Sequence, residues 1–272
     1  MYRLISLDMD ATTLMSDHTI SDNTLKTLRK ASQQGIEVMI NTGRTYSEAK
    51  EYIEAMDFVN YAALANGSVI YDKSKNDFIR ISNMSIDLIA KAHEFSAAFS
   101  EEVAFVISGE RHTYSDTIYA NGKGAEQHRR ICGEGNLRFV DDLVEGFRDR
   151  FIAKGLLIGS HEILSKIKGR LQDHFSERIQ LVFSLECALE ILDPSMDKSN
   201  ALHRIMQMKG LKKDQVIAIG DGENDLGMLQ AAGVSVAMGN AVEKLKSVAD
   251  FITLTNNEDG VVHALNKYLF AI

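Results

Sequence analysis

Leu4-Ile5-Ser6-Leu7-Asp8-Met9-Asp10-Ala11-Thr12-Thr13 is the stretch whose reading decides the fold. A short apolar run closed by polar turn residues predicts a buried strand. Alternate side chains of a strand share a face, so Asp8 and Asp10 point into one space if extended geometry continues past Leu7. Two carboxylates that close repel each other and are costly to bury without compensation. A divalent cation such as magnesium, which prefers hard oxygen ligands, supplies that compensation. Two Asp residues that merely open a turn would give the same local pattern. The rest of the chain has to separate the two readings.

The chain has 272 residues, 45% hydrophobic and 25% charged, an ordinary globular composition with length for one large domain or two smaller ones. A formal net charge of −8 argues against general nucleic-acid or anionic-membrane binding, since no excess positive charge is available to displace counterions. It leaves room for a phosphate site, which needs only local positive charge. Cys132 and Cys187 form no metal-type spacing and fit a reduced, cytoplasmic setting. Arg3 and Asp8 bracket the first apolar run, so no signal peptide is expected there. No apolar stretch approaches the roughly 18 to 20 residues that span a bilayer. A soluble protein is expected, with its oligomeric state left open.

Working outward, Ser21 is suited to cap a helix carrying Leu25, Leu28 and Ala31, with Gly35 at its end. Strand-length runs at 36–40 and 62–65 alternate with a helix from about Tyr46, a pattern that predicts parallel βαβ units. Near Ser82 the alternation stops, and an α+β region with an antiparallel sheet is expected. It resumes with a helix from Lys198 and the strand 216–219. The expected organisation is therefore an α/β core, residues 1–81 and 189–272, interrupted by an inserted domain, residues 82–188.

Four polar clusters follow core strands or open core helices: Asp8 and Asp10 with Thr12; Thr42-Gly43-Arg44; Lys198; and Asp221 with Asn224 and Asp225. Loops at the carboxyl ends of strands line one crevice in doubly wound sheets, so these clusters can converge. Asp221 could join Asp8 in holding magnesium, and Thr42 with neighbouring amides can hydrogen-bond phosphoryl oxygens. Lys198 is a point charge able to stabilise a phosphate and a carboxylate nucleophile. Asp10 is placed to protonate a leaving alkoxide and later activate water. Taken singly, each cluster also reads blandly, as a strand-to-helix turn, a solvated lysine, or a turn with an N-cap.

These motifs together resemble the haloacid dehalogenase superfamily of phosphatases. The long insertion resembles the class IIB cap of its Cof-like hydrolases, as do Asn66-Gly67 and 236–241. The resemblance implies a Rossmann-like core with a parallel sheet, a mobile cap, and a magnesium-dependent phosphomonoesterase working through an aspartyl-phosphate. It implies Asp8 as nucleophile and Asp10 as general acid/base. Magnesium would be held by Asp8, the main-chain carbonyl of Asp10, and Asp221, with Asp225 supporting the metal from behind. Thr42, Gly43, Arg44, Lys198 and Asn224 would bind the phosphoryl group.

The sequence departs from the family at Ala11, Ser195 and Ser199, where glycine is usual. Each exchange adds atoms and narrows backbone freedom. The leading expectation is hydrolysis of a small phosphorylated metabolite, a sugar phosphate or a phosphorylated cofactor. His112, Tyr114, Tyr119 and Asn121 are cap candidates for reading the substrate. The alternatives are phosphomutase-like phosphoryl transfer and a non-catalytic ligand-binding member of the fold.

Overall fold

The computed structural model describes residues 1–132 and 137–270. The chain divides into two compact units: Met1–Arg44, Ala49–Ile81 and Asp197–Ile272 form the first, and Thr45–Glu48 with Ser82–Met196 form the second.

The first unit is built on an eight-stranded sheet. Its strands are β1 (Leu4–Leu7), β2 (Glu37–Asn41), β3 (Val59–Leu64), β4 (Val69–Asp72) and β5 (Asp77–Arg80). The second unit contributes β6 (Ala104–Ser108), β7 (Thr113–Asp116), β8 (Leu137–Val140), β9 (Lys154–Ile158), β10 (Gln180–Leu185) and β11 (Ala188–Leu192). Then β12 (Val216–Gly220), β13 (Val234–Ala237) and β14 (Phe251–Ile252) complete the first sheet, in the order β14-β13-β12-β1-β2-β3-β4-β5. Pairing is parallel from β14 to β3 and antiparallel beyond. The central strands β1 and β12 are buried throughout and apolar apart from Ser6, as a parallel sheet covered on both faces requires.

The register places the site. Leu7 lies opposite both Ile219 and Ile40, so the chain leaves β12, β1 and β2 at one level along the sheet. The residues that follow those strands, Asp221, Asp8 and Thr42, are therefore neighbours although far apart in sequence.

The second unit holds a six-stranded sheet, β10-β11-β9-β6-β7-β8, antiparallel except between β7 and β8. Phe105, Leu157, Leu189 and Ile191 on one face pack with Leu164 and Ile167 from the helix His161–Phe175. The strand Ala188–Leu192 pairs with β9 and β10 inside this sheet, and the first unit resumes at Asp197. The boundary expected at residue 189 thus falls within a strand of the second sheet. Hydrophobicity gives no cue there, because β11 is as apolar as any core strand. Among the described residues no helix is long and apolar enough to cross a membrane.

Candidate active site

Past β1 the chain makes a wide helical turn, Met9–Thr13, where an open polar loop is the simpler sequence expectation. Asp8 and Asp10 both have extended backbone angles, but Ala11 is left-handed at φ 54° and ψ 10°. The turn gives the two carboxylates different surroundings. Asp8 is buried at 6% exposure, whereas the Asp10 side chain is half exposed. The Thr13 hydroxyl donates to the Asp8 carbonyl at 2.6 Å, and Asn240 Nδ2 donates to the Ala11 carbonyl at 2.8 Å. The loop is thereby pinned from inside and from the end of β13.

Lys198 stands at the start of the helix Lys198–Lys209, which Asp197 caps by accepting from the Ser199 amide at 2.6 Å. Its side chain is 1% exposed, and Nζ donates to Asp8 Oδ1 and Asp225 Oδ1, each at 2.6 Å. The other Asp225 oxygen accepts from the amides of Asp221 and Gly222 at 2.9 Å. Asp225 is thus satisfied by an ammonium and two amides, while Asp221 accepts from the Thr12 hydroxyl at 2.8 Å.

Electrostatics follow from this crowding. Burial pushes the Asp8 carboxyl well above its ordinary range; Lys198 opposes the shift, and Asp225 and Asp221 add to it. Asp221 is raised too, by burial first, with Asp225 repelling it and the Thr12 bond working the other way. Burial alone would lower the Lys198 ammonium, but Asp225 and Asp8 outweigh it and hold it above the lysine range. Carboxylate oxygens of Asp8, Asp221 and Asp225 lie within 4.8 Å of one another, the only acidic group among the described residues arranged to hold a metal ion. Hard oxygen donors of this kind suit magnesium. Since Asp225 is already engaged by Lys198 and two amides, Asp8 and Asp221 are the side chains with capacity to spare.

Thr42 is fully buried, and its hydroxyl oxygen accepts from the Arg44 amide at 3.1 Å, leaving its own O–H to donate. Arg44 reaches back across the site. Its Nε donates to Asp10 Oδ2 at 2.9 Å and its Nη2 to Oδ1 at 2.5 Å. The Asp10 hydrogen bond outweighs the opposing effect of burial and raises the guanidinium above its ordinary range. The sequence reading gave Arg44 to phosphate and did not include Asp10 as its partner. Asn224 is exposed and donates from Nδ2 to Asn66 Oδ1 at 3.1 Å. Asn41, which sequence reasoning passed over as the last residue of β2, donates to the Lys198 carbonyl at 2.8 Å. Its place between an apolar run and Thr42-Gly43-Arg44 was the signal available in the sequence.

The first unit thus gathers every motif residue that the sequence reading named into one place. The chain matches the haloacid dehalogenase-like hydrolase family over residues 5–265. It belongs to that family. Among its relatives is a 5-amino-6-(5-phospho-D-ribitylamino)uracil phosphatase of Bacillus subtilis, 29% identical over 97% of each chain. A haloacid dehalogenase-like hydrolase from Bacteroides thetaiotaomicron is 27% identical and superposes with a TM-score of 0.85, covering 98% of this chain and 99% of the other. The fold also matches that of a subclass IIB sugar phosphatase of this superfamily, with a TM-score of 0.77, 19% identity and 98% of each chain covered. As a haloacid dehalogenase-like hydrolase, the chain is an enzyme.

The candidates in the second unit fare differently. Tyr119 is fully buried in that unit's core, its hydroxyl 2.7 Å from that of Ser96, and burial pushes the phenol above its usual range. It is a packing residue there and not a loop residue open to a substrate. Tyr114 packs edge-on against Phe147. His112 is half-buried and Asn121 exposed.

Proposed function

We propose that the protein is a magnesium-dependent phosphatase that hydrolyses small phosphorylated metabolites through an aspartyl-phosphate on Asp8. The observation that carries this reading is the Lys198 ammonium lodged between Asp8 and Asp225 at 2.6 Å from each. A buried carboxylate paired on one oxygen, with a second carboxylate beside it, is what a metal-assisted nucleophile needs.

In this mechanism Asp8 Oδ attacks phosphorus while the P–O bond to the leaving group breaks. Asp10 gives its proton to the departing alkoxide. Water then attacks phosphorus, Asp10 takes its proton, and the Asp8–phosphorus bond breaks to release orthophosphate and the free carboxylate. Lys198, the Thr42 hydroxyl, the Gly43 region and Asn224 neutralise or hydrogen-bond the equatorial oxygens, where phosphoryl transfer concentrates charge. Arg44 fixes where the Asp10 carboxylate points. Magnesium, held by Asp8, Asp221 and the Asp10 carbonyl, would supply charge neutralisation at the phosphoryl oxygens; Asp225 steadies Lys198 and the loop carrying Asp221. The inserted unit acts as the cap that selects the substrate. A cytoplasmic setting belongs to this reading and is supported by the free thiol of Cys187.

The relative's phosphorylated ribityl substrate supports a small phosphomonoester here too. The test is a panel of phosphate monoesters with magnesium, assayed for orthophosphate. Asp8→Asn is expected to abolish release. Turnover at the wild-type rate in that variant would remove Asp8 as nucleophile, and an isomerised sugar phosphate in place of orthophosphate would point to transfer.

A further inference from the structure

Three consecutive residues after β3 are left-handed: Ala65 at φ 48°, Asn66 at φ 54° and Gly67 at φ 87°. Only Gly67 is glycine, and there a Cβ would lie 2.6 Å from the Asp197 carbonyl oxygen, at the start of the helix carrying Lys198. Left-handed backbone is strained for a residue with a Cβ, so such a run persists only where its surroundings hold it. Here they do. The Ala65 amide donates to the Arg44 carbonyl at 2.8 Å, and the Asn66 amide to the Thr42 carbonyl at 3.0 Å.

The Asn66 side chain is not spent on its own turn. Its Oδ1 accepts from Asn224, 158 residues away in sequence. Its carboxamide packs close to Gly43, where a Cβ would come within 3.1 Å of Oδ1 and 3.5 Å of Nδ2. One amide therefore touches the loop after β2 and the loop after β12, while its own main chain binds the first of them.

We infer that Asn66 is a positioning residue of the phosphate site, setting the distance between the Thr42–Gly43 loop and Asn224. The inference rests on the proposed phosphatase reading, in which those groups cradle the phosphoryl oxygens. It adds a residue that touches both of those loops at once.

The experiment compares wild-type protein with Asn66→Gly, which keeps the left-handed backbone and deletes the carboxamide, and with Asn66→Asp, which keeps an acceptor for Asn224 but adds charge. Loss of one positioned hydrogen bond is expected to weaken orthophosphate inhibition about tenfold in Asn66→Gly, with kcat/KM for p-nitrophenyl phosphate falling in parallel. The magnesium-induced shift in melting temperature should stay at its wild-type size, because Asp8 and Asp221 are untouched. In an Asn224→Ala background, Asn66→Gly should cost nothing further, since the two act as one unit. Asn66→Asp should weaken orthophosphate more than Asn66→Gly does, through like-charge repulsion. Wild-type orthophosphate inhibition in either variant, or full additivity with Asn224→Ala, overturns the inference. Wild-type protein that neither turns over phosphate monoesters nor binds orthophosphate would instead overturn the phosphatase reading.

Discussion

Arg44 grips Asp10 with two donors, Nε at 2.9 Å and Nη2 at 2.5 Å, so the carboxylate proposed to move the proton has a fixed orientation. Arg44→Ala is expected to lower kcat by about ten- to a hundredfold, part of the 10²–10⁴ that a positioned acid–base group contributes. Arg44→Lys should recover little, because an ammonium cannot reproduce the planar fork. Steady-state kinetics with orthophosphate inhibition decide between two roles. A loss in kcat with unchanged inhibition supports positioning of Asp10; weakened inhibition with unchanged kcat would return Arg44 to phosphate binding.

Ala11 holds φ 54° in the turn after β1, a left-handed position that favours glycine. The left-handed conformation costs alanine about 1–2 kcal/mol, and glycine loses part of that advantage to its freer unfolded chain. Ala11→Gly should therefore stabilise the protein by about 0.5–1 kcal/mol in chemical denaturation. A destabilised variant would mean that the methyl group packs to greater effect than the strain it causes.

The raised carboxyls of Asp8 and Asp221 make stability depend on pH in a definite direction. Both fold at values above the ordinary 3.8, so the folded state holds these protons more tightly than the unfolded chain. Their favourable contribution is present below about pH 4 and is lost as pH rises through the raised values. Magnesium should oppose that loss, so its increment in melting temperature should grow from about pH 5 to about pH 8. Asp221→Asn should raise the melting temperature of the metal-free protein and abolish the increment. A pH-independent increment would show that the metal binds elsewhere.

Lys198 offers the converse case. Removing its charge leaves Asp8 and Asp225 buried against each other, and losing one partner of a buried pair typically costs about 3–5 kcal/mol. Lys198→Met should destabilise the metal-free protein by an amount in that range, and Asp225→Asn in the same chain should recover part of it. If Lys198→Met melts like the wild type, the pairing contributes nothing to folding.

The sequence already showed which residues meet, because the motifs sit one step past apolar strands and parallel register aligns those steps. Asp8, Thr42 and Asp221 follow from that logic alone. Side-chain partnerships were harder to read. Nothing in Thr-Gly-Arg tells whether the guanidinium turns toward phosphate or toward Asp10; the left-handed Ala11 and the wide turn around it decide that. Asn66 stood out only as part of an Asn-Gly pair resembling the Cof-like hydrolases, and its bond to Asn224 depends on β3 and β12 belonging to one sheet. Tyr119 and the strand Ala188–Leu192 misled for one shared reason. A tyrosine in a polar stretch and an apolar strand ahead of a core helix look alike whichever core they serve.

Electroneutrality gives the buried centre a further property. Asp10 and Arg44 cancel each other, whereas Asp8, Asp221 and Asp225 face the single ammonium of Lys198. The remainder is a double negative charge, which a divalent cation balances and a monovalent one does not. A phosphate dianion entering ahead of that cation would be repelled by unscreened carboxylates in a medium of low polarity. Under the proposed phosphatase reading the expected order is therefore cation first and phosphoester second, and excess sodium or potassium is expected not to restore turnover.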